Sequence, residues 1–466
     1  MKLNKMIYAV TVVLGATSLA SMTSCTDALE PQPLQYKEDP NFAPPHIEAA
    51  WQLEEIGSDL ANDYVYAYKD KLYNDLFTRT LGWNGGDGVL TVGLPGGNVL
   101  WTFNDSFYGT VDPSTRARIN GKNSFPRNSI MVQDNEIGTP GEDDLHWMAD
   151  WIQTSDADAY GYYMARTHVD HPLAASYNGD GIAQDYLYWS GDGTIKDGKL
   201  QLIWMGVYTP GNGDMLNQNA ALATYSLDGK PGDPGYMKLE SVDHNWIPAN
   251  PYGYGSTLLE CEDGHLYLYS STGNGQFLGN DPIVARTKGS DLASGVEYYV
   301  PDDDGEMGWQ DGYPVLIQAQ NAGIAPGQGS MTMPWVFEKD GMYYMLAQSF
   351  PFGRELNILR SKNPWGPFTD KRELLRFPDS LDPLQGDQWG RKYGNLYMLN
   401  HHPALSRDGE IVISTNTDPS ANDDNGVVIS QLGAFGAFAR NFTYAGSADW
   451  YRPFFYRIYK WEKVFD

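Results

Sequence analysis

The segment Lys339-Asp-Gly-Met-Tyr-Tyr-Met-Leu346 decides the fold that this sequence predicts. Asp-Gly is typical of the tight turn of a β hairpin, because such a turn needs positive φ angles, and strand-like residues lie on both sides of it. The same pattern recurs four more times, and the five copies have their turn glycines at Gly97, Gly198, Gly264, Gly341 and Gly409. The glycines are about 65 to 100 residues apart, which suits one four-stranded unit per copy with insertions in the earlier copies.

A regular series of hairpins without convincing helices between them favours an all-β fold built by radial repetition. We therefore predict a single five-bladed β-propeller domain over residues 46–466, with one blade for each hairpin. A β-sandwich or a two-domain β protein also contains hairpins and is the alternative. The aromatic, strand-like segment Tyr451–Phe465 is a candidate to close the ring by pairing with N-terminal residues.

The first 24 residues have the features of a bacterial export signal. Lys2 and Lys5 precede the apolar stretch Met6–Leu14, which is too short to span a bilayer. The following Ser-Met-Thr-Ser-Cys25 resembles the lipobox of Bacteroidetes-type lipoproteins. The resemblance implies a lipoprotein signal peptide over residues 1–24, cleavage before Cys25 and acylation of that cysteine. An ordinary secretory signal with an incidental cysteine is the alternative.

Residues 25–45 are rich in proline and polar side chains, which predicts a tether between membrane and domain. The protein is therefore expected to be exported and anchored through Cys25 to the outer membrane, on the cell surface or on the periplasmic face. If Cys25 carries lipid, Cys261 has no disulfide partner. The apolar neighbours of Cys261 predict that it is a small buried side chain.

The composition excludes several functions. The chain has 59 acidic and 32 basic side chains, a formal net charge of −27, which argues against a nucleic-acid partner. Two cysteines exclude a disulfide scaffold and a multi-cysteine metal site. No cofactor or metal motif is present, although calcium could bind the acidic loops Asp302-Asp-Asp304 and Asn422-Asp-Asp-Asn425. Both loops lack the alternating ligand spacing of known calcium loops, so solvated acidic loops are the alternative.

Two aspartates flank the first hairpin turn symmetrically. In a propeller, the first strand of each blade starts at the channel mouth to which the second strand returns, and this mouth is the default ligand pocket. Asp87 lies nine residues before the turn at Gly96 and Asp105 nine after it, which predicts cross-strand or diagonal neighbours. Like charges this close raise one pKa, so that one carboxyl can hold a proton while the other stays ionised, as glycosidic bond cleavage requires. A calcium site or a sugar-binding cleft would also use such a pair. Alternatively, Asp87 belongs to a glycine-rich turn and Asp105 caps a loop.

Further candidate ligand-binding residues come from counting back from the other turns and from the next strand of the first blade. They are Arg127, Asn128, Asp185, Tyr254, Ser330 and His402. Hydrogen-bonding and stacking groups of these kinds suit a sugar. For each of them, the alternative is a loop group satisfied within the protein.

The first hairpin also resembles a known signature. Gly82-Trp-Asn-Gly-Gly-Asp-Gly88 and Leu100-Trp-Thr-Phe-Asn-Asp-Ser-Phe107 are similar to the opening of five-bladed-propeller families of unknown function whose relatives include bacterial endo-D-arabinanases. The usual signature has Gly and Thr where this chain has Asn104 and Ser106. Arg127-Asn-Ser129, Arg360-Ser-Lys-Asn-Pro-Trp-Gly-Pro-Phe368 and His402-Pro-Ala-Leu-Ser406 extend the similarity. The resemblance implies that Asp87 and Asp105 are the catalytic carboxylates.

Two functional hypotheses follow. The first is a glycoside hydrolase that cleaves a polysaccharide or oligosaccharide, with arabinofuranose polymers among the candidates. The alternative is a surface lipoprotein that binds glycans without cleaving them, for which the two carboxylates would be dispensable. A third interpretation makes the domain a scaffold for other surface proteins.

Overall fold

The computed structural model describes residues 53–55, 65–134, 145–147, 151–152, 164–165, 167–177, 181–210, 215–233, 235–272, 280–312, 322–350, 353–377, 395–418 and 445–466. In these ranges the chain forms strands joined by turns, with two short α-helices, so the predicted all-β class is confirmed. The predicted signal peptide, Cys25 and the tether over residues 25–45 lie outside the described residues. Within the described residues, no helix is long and apolar enough to cross a membrane.

The N-terminal part of the described chain contains the first meandering sheet and an inserted hairpin. The elements of this part, in chain order, are β1 (Leu53–Glu55), β2 (Tyr66–Asp70), α1 (Lys71–Leu76), β3 (Leu81–Gly86), β4 (Leu90–Gly93), a 3₁₀ turn (Pro95–Gly97), β5 (Val99–Phe103), β6 (Ser106–Val111), β7 (Arg118–Ser124), β8 (Ser129–Gln133) and β9 (Leu145–Trp147). The first sheet has the order β4-β5-β8-β9. The inserted strands β6 and β7 join β3 in a three-stranded sheet, which explains the long first interval between hairpins.

Three more sheets follow, each with its strands in chain order, after the short pair β10 (Trp151–Ile152) and β11 (Met164–Ala165). The second sheet contains β12 (Tyr186–Lys196), β13 (Lys199–Tyr208), β14 (Leu216–Leu227) and β15 (Met237–Ile247). The third contains β16 (Thr257–Glu260), β17 (Leu266–Thr272), β18 (Asp281–Thr287), a 3₁₀ turn (Leu292–Ser294), β19 (Val296–Pro301) and β20 (Met307–Asp311). The fourth contains β21 (Met331–Lys339), β22 (Met342–Ser349), β23 (Glu355–Ser361) and β24 (Thr369–Arg376).

The fifth sheet joins the two ends of the described chain. Its C-terminal elements are β25 (Asn395–His401), a 3₁₀ turn (Pro403–Leu405), β26 (Glu410–Asp418), α2 (Ser447–Trp450), β27 (Pro453–Tyr459) and a final 3₁₀ turn (Trp461–Phe465). The sheet order is β1-β2-β27-β26-β25, with Tyr66 opposite Tyr459. The expected pairing of the C-terminal segment with N-terminal residues is therefore confirmed.

All five predicted hairpin turns join the first and second strands of these sheets. Their marker glycines have φ angles between 75° and 85°. A Cβ at Gly198, Gly264, Gly341 or Gly409 would meet no atom within 4 Å, so the positive φ angle and not a lack of space is the reason for glycine.

The five first strands follow one another around a circuit. β12 contacts β4 and β16, β21 contacts β16 and β25, and the turn after β25 contacts β4. Side-chain or backbone hydrogen bonds link each consecutive pair of sheets: Ser190 N to Asn104 Oδ1, Asp192 N to Gly255 O, Thr257 Oγ1 to Pro334 O, Trp335 Nε1 to Leu399 O, and Thr91 Oγ1 with His402 Nδ1. Apolar side chains are buried between consecutive sheets, in five clusters within the described residues.

The acidic loop and the free cysteine have ordinary structural surroundings. Asp302 closes an exposed turn, because its Oδ1 accepts hydrogen bonds from the backbone N–H groups of Asp304 and Glu306, both at 2.9 Å. Residues 422–425 lie outside the described ranges. Cys261 is half-buried against the core between the third and fourth sheets, and burial raises the pKa of its thiol to about 12.

Candidate active site

Asp87 and Asp105 are neighbours, as the symmetric spacing predicts. The backbone N–H of Asp87 donates to the carbonyl of Asp105 at 3.2 Å, and the N–H of Asn104 donates to the carbonyl of Asp87 at 2.9 Å. Asp87 lies between β3 and β4, and Asp105 between β5 and β6. Both residues therefore lie where the first strand of the first sheet begins and its second strand ends.

The carboxylate of Asp87 is held by the C-terminal part of the chain. The hydroxyls of Tyr397 and Tyr451 both donate to its Oδ2 at 2.7 Å. Asp87 is half-buried, whereas its chain neighbours Gly86 and Gly88 are buried. Asp87 is thus an oriented acceptor that solvent can reach.

Asp105 has a different environment. It is 4% exposed, and Nη1 of Arg127 lies 3.3 Å from each of its carboxylate oxygens. The indole N–H of Trp189 donates to Oδ1 at 3.4 Å. Burial raises the pKa of Asp105 above its usual range, while the guanidinium of Arg127 and the indole of Trp189 oppose that rise.

Aromatic rings form one side of the site. Phe107, Phe125 and Tyr451 are buried in a small cluster against which Tyr397 packs. The guanidinium of Arg127 lies 5.2 Å from the centre of the Phe125 ring. Since the two tyrosines also bind Asp87, this cluster fixes the direction from which they approach the carboxylate.

The two departures from the usual signature link the first sheet to its neighbours. Oδ1 of Asn104 accepts from the backbone N–H and the hydroxyl of Ser190, at 2.8 and 2.9 Å. A Cβ at Gly88 would collide with the Asn104 amide, so the glycine and the asparagine fit together. The hydroxyl of Ser106 donates to the Asn104 carbonyl at 2.9 Å and lies 3.0 Å from that of Ser129. Asn104 and Ser106 thus support the backbone that carries Asp105.

Arg127 and Asn128 precede β8, as predicted, and have unlike surroundings. Besides Asp105, Arg127 donates from Nε to the carbonyl of Ala183 at 3.0 Å and from Nη2 to Oε1 of Gln184 at 3.3 Å. The amide of Asn128 is fully buried. It bonds to the backbone of Val169 and Tyr188, each at 2.9 Å, and so holds a loop against the first and second sheets. The structure brings Arg127 to the carboxylate pair and directs Asn128 into backbone contacts.

Asp185 and Ser330 lie immediately before the first strands of their sheets, at the predicted positions. The carboxylate of Asp185 accepts from the N–H groups of Tyr186 at 2.8 Å and of Ser176 at 3.0 Å. Burial acts to raise the pKa of Asp185, but these and other backbone hydrogen bonds outweigh it and lower the pKa. Ser330 is half-buried, and its hydroxyl accepts from the N–H of Asn280 at 3.2 Å.

Tyr254 and His402 lie in the core. Tyr254 is 1% exposed, and its ring packs edge-on against Tyr298 at 5.1 Å between centres. His402 follows the last residue of β25, so its predicted position at the start of that strand is wrong. The 3₁₀ turn Pro403–Leu405 lengthens the connection and shifts the count. The buried His402 ring lies against Thr91 and Ser414, and burial lowers its pKa well below the usual range.

Sequence reasoning missed Tyr397, Tyr451 and Trp189 as parts of the site. Tyr397 lies near the start of β25, the first strand of the fifth hairpin, and its hydroxyl reaches Asp87. The sequence indicated Tyr451 only as one aromatic residue of the segment that was predicted to pair with N-terminal residues. Trp189 lies next to a register shift in β12 between Ser190 and Gly193.

Residues 70–461 match a family that is defined by a domain of unknown function, DUF5005. The chain belongs to the DUF5005 family. A solved structure from Bacteroides ovatus ATCC 8483, described as "a putative hydrolase", is 45% identical to this DUF5005 chain with a TM-score of 0.78, covering 92% of this chain and 99% of that one. That identity and coverage show that the two proteins share their fold. No curated protein matches this chain.

Matches to two further solved structures are weak. A Cellvibrio cellulosa α-L-arabinanase is 13% identical with a TM-score of 0.36, over 74% of the DUF5005 chain and 89% of its own. A GH43_1 enzyme from Xanthomonas citri is 15% identical with a TM-score of 0.37, over 76% and 91%. At these scores the two matches carry no conclusion about the DUF5005 chain, so its chemistry has to be argued from its own site.

Proposed function

We propose that this DUF5005 protein is a five-bladed β-propeller glycoside hydrolase that cleaves glycosidic bonds in a polysaccharide or oligosaccharide. The observation that carries the proposal is a pair of aspartates that neighbour each other along paired backbone segments and whose carboxylates have unlike environments. Glycosidic bond cleavage needs one carboxyl group that can give up a proton and a second that acts as base or nucleophile. Pairs whose environments differ are the usual basis for this division of roles.

The surroundings suggest a role for each aspartate. Asp87 accepts two O–H hydrogen bonds and reaches solvent, which suits a base or a nucleophile. Burial raises the pKa of Asp105, which suits the group that carries the proton. Arg127 favours the ionised form of Asp105 and so assists the release of that proton to a leaving group.

The five-blade arrangement is supported by the sheets. Each of the five meandering sheets begins with a strand that contacts the first strands of its neighbours, and the fifth contains both N-terminal and C-terminal strands. Closure of a ring with strands from both chain ends removes an exposed sheet edge. The start of each first strand then faces one mouth, where Asp87, Asp105 and Tyr397 lie.

Hydrolysis is tested by incubating the domain with a panel of glycans that includes arabinofuranose polymers, arabinans and xylans, and by analysing released oligosaccharides. We expect release by the wild type and loss of release in Asp87→Asn and Asp105→Asn. Asp304→Asn is the matched control, because Asp304 lies in the exposed loop 302–306. Binding without release, unchanged in both site variants, would instead establish a glycan-binding protein. If the protein neither binds nor cleaves any glycan of the panel, the scaffold function is the one that remains.

We also propose that the protein is a lipoprotein of the outer membrane, anchored at Cys25. The support is the sequence Lys2 to Cys25, with its positive start, short apolar stretch and lipobox-like end. In a bacterial host, the full chain should fractionate with the outer membrane and carry acyl groups on Cys25, detected by mass spectrometry. Cys25→Ala should be soluble, and retention of that variant in the membrane would refute the anchor.

A further inference from the structure

An exposed apolar patch lies beside the carboxylate pair. Among the described residues, five large apolar side chains are exposed: Ile119, Leu173, Tyr177, Met215 and Leu239. Three of them belong to segments that adjoin the mouth end of the second sheet: Leu173 is 61% exposed, Tyr177 51% and Met215 39%. Ile119 lies on the inserted strand β7, and Leu239 on the outermost strand β15 of the second sheet.

Half-buried aromatic rings connect these exposed side chains. The backbone N–H of Leu173 donates to Nδ1 of His171 at 3.1 Å, and the His171 ring stacks on Tyr186 with 5.4 Å between centres. Tyr186 stacks on Tyr208 at 4.5 Å. Tyr208 pairs across strands with Leu216, which follows Met215. The stacked rings of His171, Tyr186 and Tyr208 therefore lie between the segment that carries Leu173 and the start of β14, next to Met215.

The loop that carries Leu173 and Tyr177 is held in place. The carboxylate of Asp185 accepts from the N–H groups of Ala175 and Ser176, and the hydroxyl of Tyr177 donates to the Ala174 carbonyl at 3.1 Å. Tyr177 also forms a β-bridge with Ala183. Because the loop is already ordered by these bonds, a ligand that binds to it loses little conformational entropy of the protein.

A single guanidinium links the patch to the candidate active site. Arg127 bonds to Asp105, to the carbonyl of Ala183 and to the side chain of Gln184. The β-bridge to Tyr177 begins at that same Ala183. Arg127 is fully buried and so holds the segment that pairs with Tyr177 close to Asp105, which places the patch near the candidate active site.

We propose that Leu173, Tyr177, Tyr186, Tyr208 and Met215 bind successive sugar residues of a neutral polysaccharide that extends from the carboxylate pair across the end of the second sheet. This assignment rests on the proposed hydrolase function and makes the enzyme one that cuts within a polymer. Apolar and aromatic side chains offer flat surfaces to the C–H faces of sugars. The net charge of −27 and the Asp185 carboxylate at the patch disfavour an anionic polymer.

The test compares a polymer with its short fragment. The triple variant Leu173→Ser, Tyr177→Ser, Met215→Ser removes exposed apolar surface without touching Asp87 or Asp105. The control is Ile119→Ser with Leu239→Ser, which removes two exposed apolar side chains, 40% and 38% exposed, from other strands. The substrates are a neutral polysaccharide that the wild type cleaves and a disaccharide or trisaccharide made from it. For both, kcat/KM is measured and early products are sized.

We expect the triple variant to lower kcat/KM for the polymer by about tenfold, a loss of about 1.4 kcal/mol, and to leave the fragment unaffected. The control should change neither value, and early wild-type products should be a mixture of lengths. The proposal would be overturned if the triple variant changed kcat/KM for the polymer and the fragment equally, or changed neither. It would also be overturned if the wild type released single sugars from the start.

If the wild type cleaves no glycan, the hydrolase function fails and the patch is tested by binding alone. Retardation of the wild type in gels that contain neutral polysaccharide, lost in the triple variant and kept in the control, would then support the patch without catalysis. No retardation of the wild type would overturn it.

Discussion

Replacement of Arg457 by methionine should strongly destabilise the fold, because this residue joins the N-terminal strand β2 to the C-terminal strands β26 and β27. Arg457 lies on β27, fully buried. Its Nε is 2.6 Å from Oδ2 of Asp70 at the end of β2, and its Nη1 is 2.9 Å from Oε2 of Glu410 on β26. Asp70 and Glu410 are themselves buried, at 0% and 6% exposure.

The magnitude follows from what the substitution leaves behind. Methionine fills much of the same space, but two buried carboxylates then lack the cation that pairs with both of them. Removal of one partner of a buried ion pair costs about 3–5 kcal/mol, since the remaining charge is neither solvated nor paired. That is a large part of the roughly 5–15 kcal/mol by which a folded protein is stable.

Urea unfolding followed by tryptophan fluorescence measures the effect. The control is Arg360→Met, because Arg360 also pairs closely with a carboxylate, Asp370 at 2.6 Å, but is 39% exposed. Exposed pairs contribute about 0–1 kcal/mol, so the control should unfold close to the wild type. Adding Asp70→Asn and Glu410→Gln to Arg457→Met should recover most of the loss, because it removes both unpaired charges.

The reasoning would be refuted if Arg457→Met unfolded at the same urea concentration as Arg360→Met. It would also be refuted if the variant with all three substitutions were less stable than Arg457→Met alone. In either case, the buried charges would not hold β2 against β27, and backbone pairing would have to supply the closure.

Three further predictions concern the site and its surroundings. Tyr451→Phe removes a 2.7 Å hydrogen bond to Asp87 while the ring stays packed on Phe107. The kcat/KM for glycan cleavage should therefore fall about tenfold with no shift in the urea midpoint, and an unchanged kcat/KM would contradict this. Arg127→Met removes a cation that lowers the pKa of Asp105, so the alkaline limb of the pH–rate profile should move to higher pH, and a fixed limb would exclude Asp105 as the acid. Burial raises the pKa of Asp192 to about 7, so the native state holds its proton more tightly than the unfolded state. The contribution of Asp192 to stability should therefore fall by up to about 4 kcal/mol from pH 4 to 7. Urea midpoints of the wild type, relative to those of Asp192→Asn, should fall across that range, and a constant difference would contradict this.

The hairpins could be predicted because their information is local. An Asp-Gly turn needs positive φ angles at adjacent residues, and at Lys339-Asp-Gly341 the structure has φ of 53° at Asp340 and 75° at Gly341. The register within a hairpin is set by its turn. Hence the nine-residue spacing sufficed to make Asp87 and Asp105 neighbours.

Counting failed where the connection between two strands is longer than a tight turn. In the fifth hairpin, the 3₁₀ turn Pro403–Leu405 lies between β25 and β26, so β25 ends at His401, well before the turn at Gly409. A count based on the shorter hairpins therefore selected His402, which packs in the core, and passed over Tyr397, which binds Asp87.

One partner of Asp87 could not be found locally, because it adjoins the C-terminal strand β27, which pairs with the N-terminal strand β2. Tyr451 precedes β27, and its carbonyl accepts from the N–H of Gly86 at 2.9 Å, next to Asp87. Arg457, on β27 itself, pairs with Asp70 at the end of β2. The same short segment therefore carries the closing ion pair and a hydroxyl of the candidate site. It follows that Arg457→Met should lose glycan cleavage at urea concentrations below those that unfold the remaining sheets, since release of β27 removes Tyr451 from Asp87 before the fold is lost.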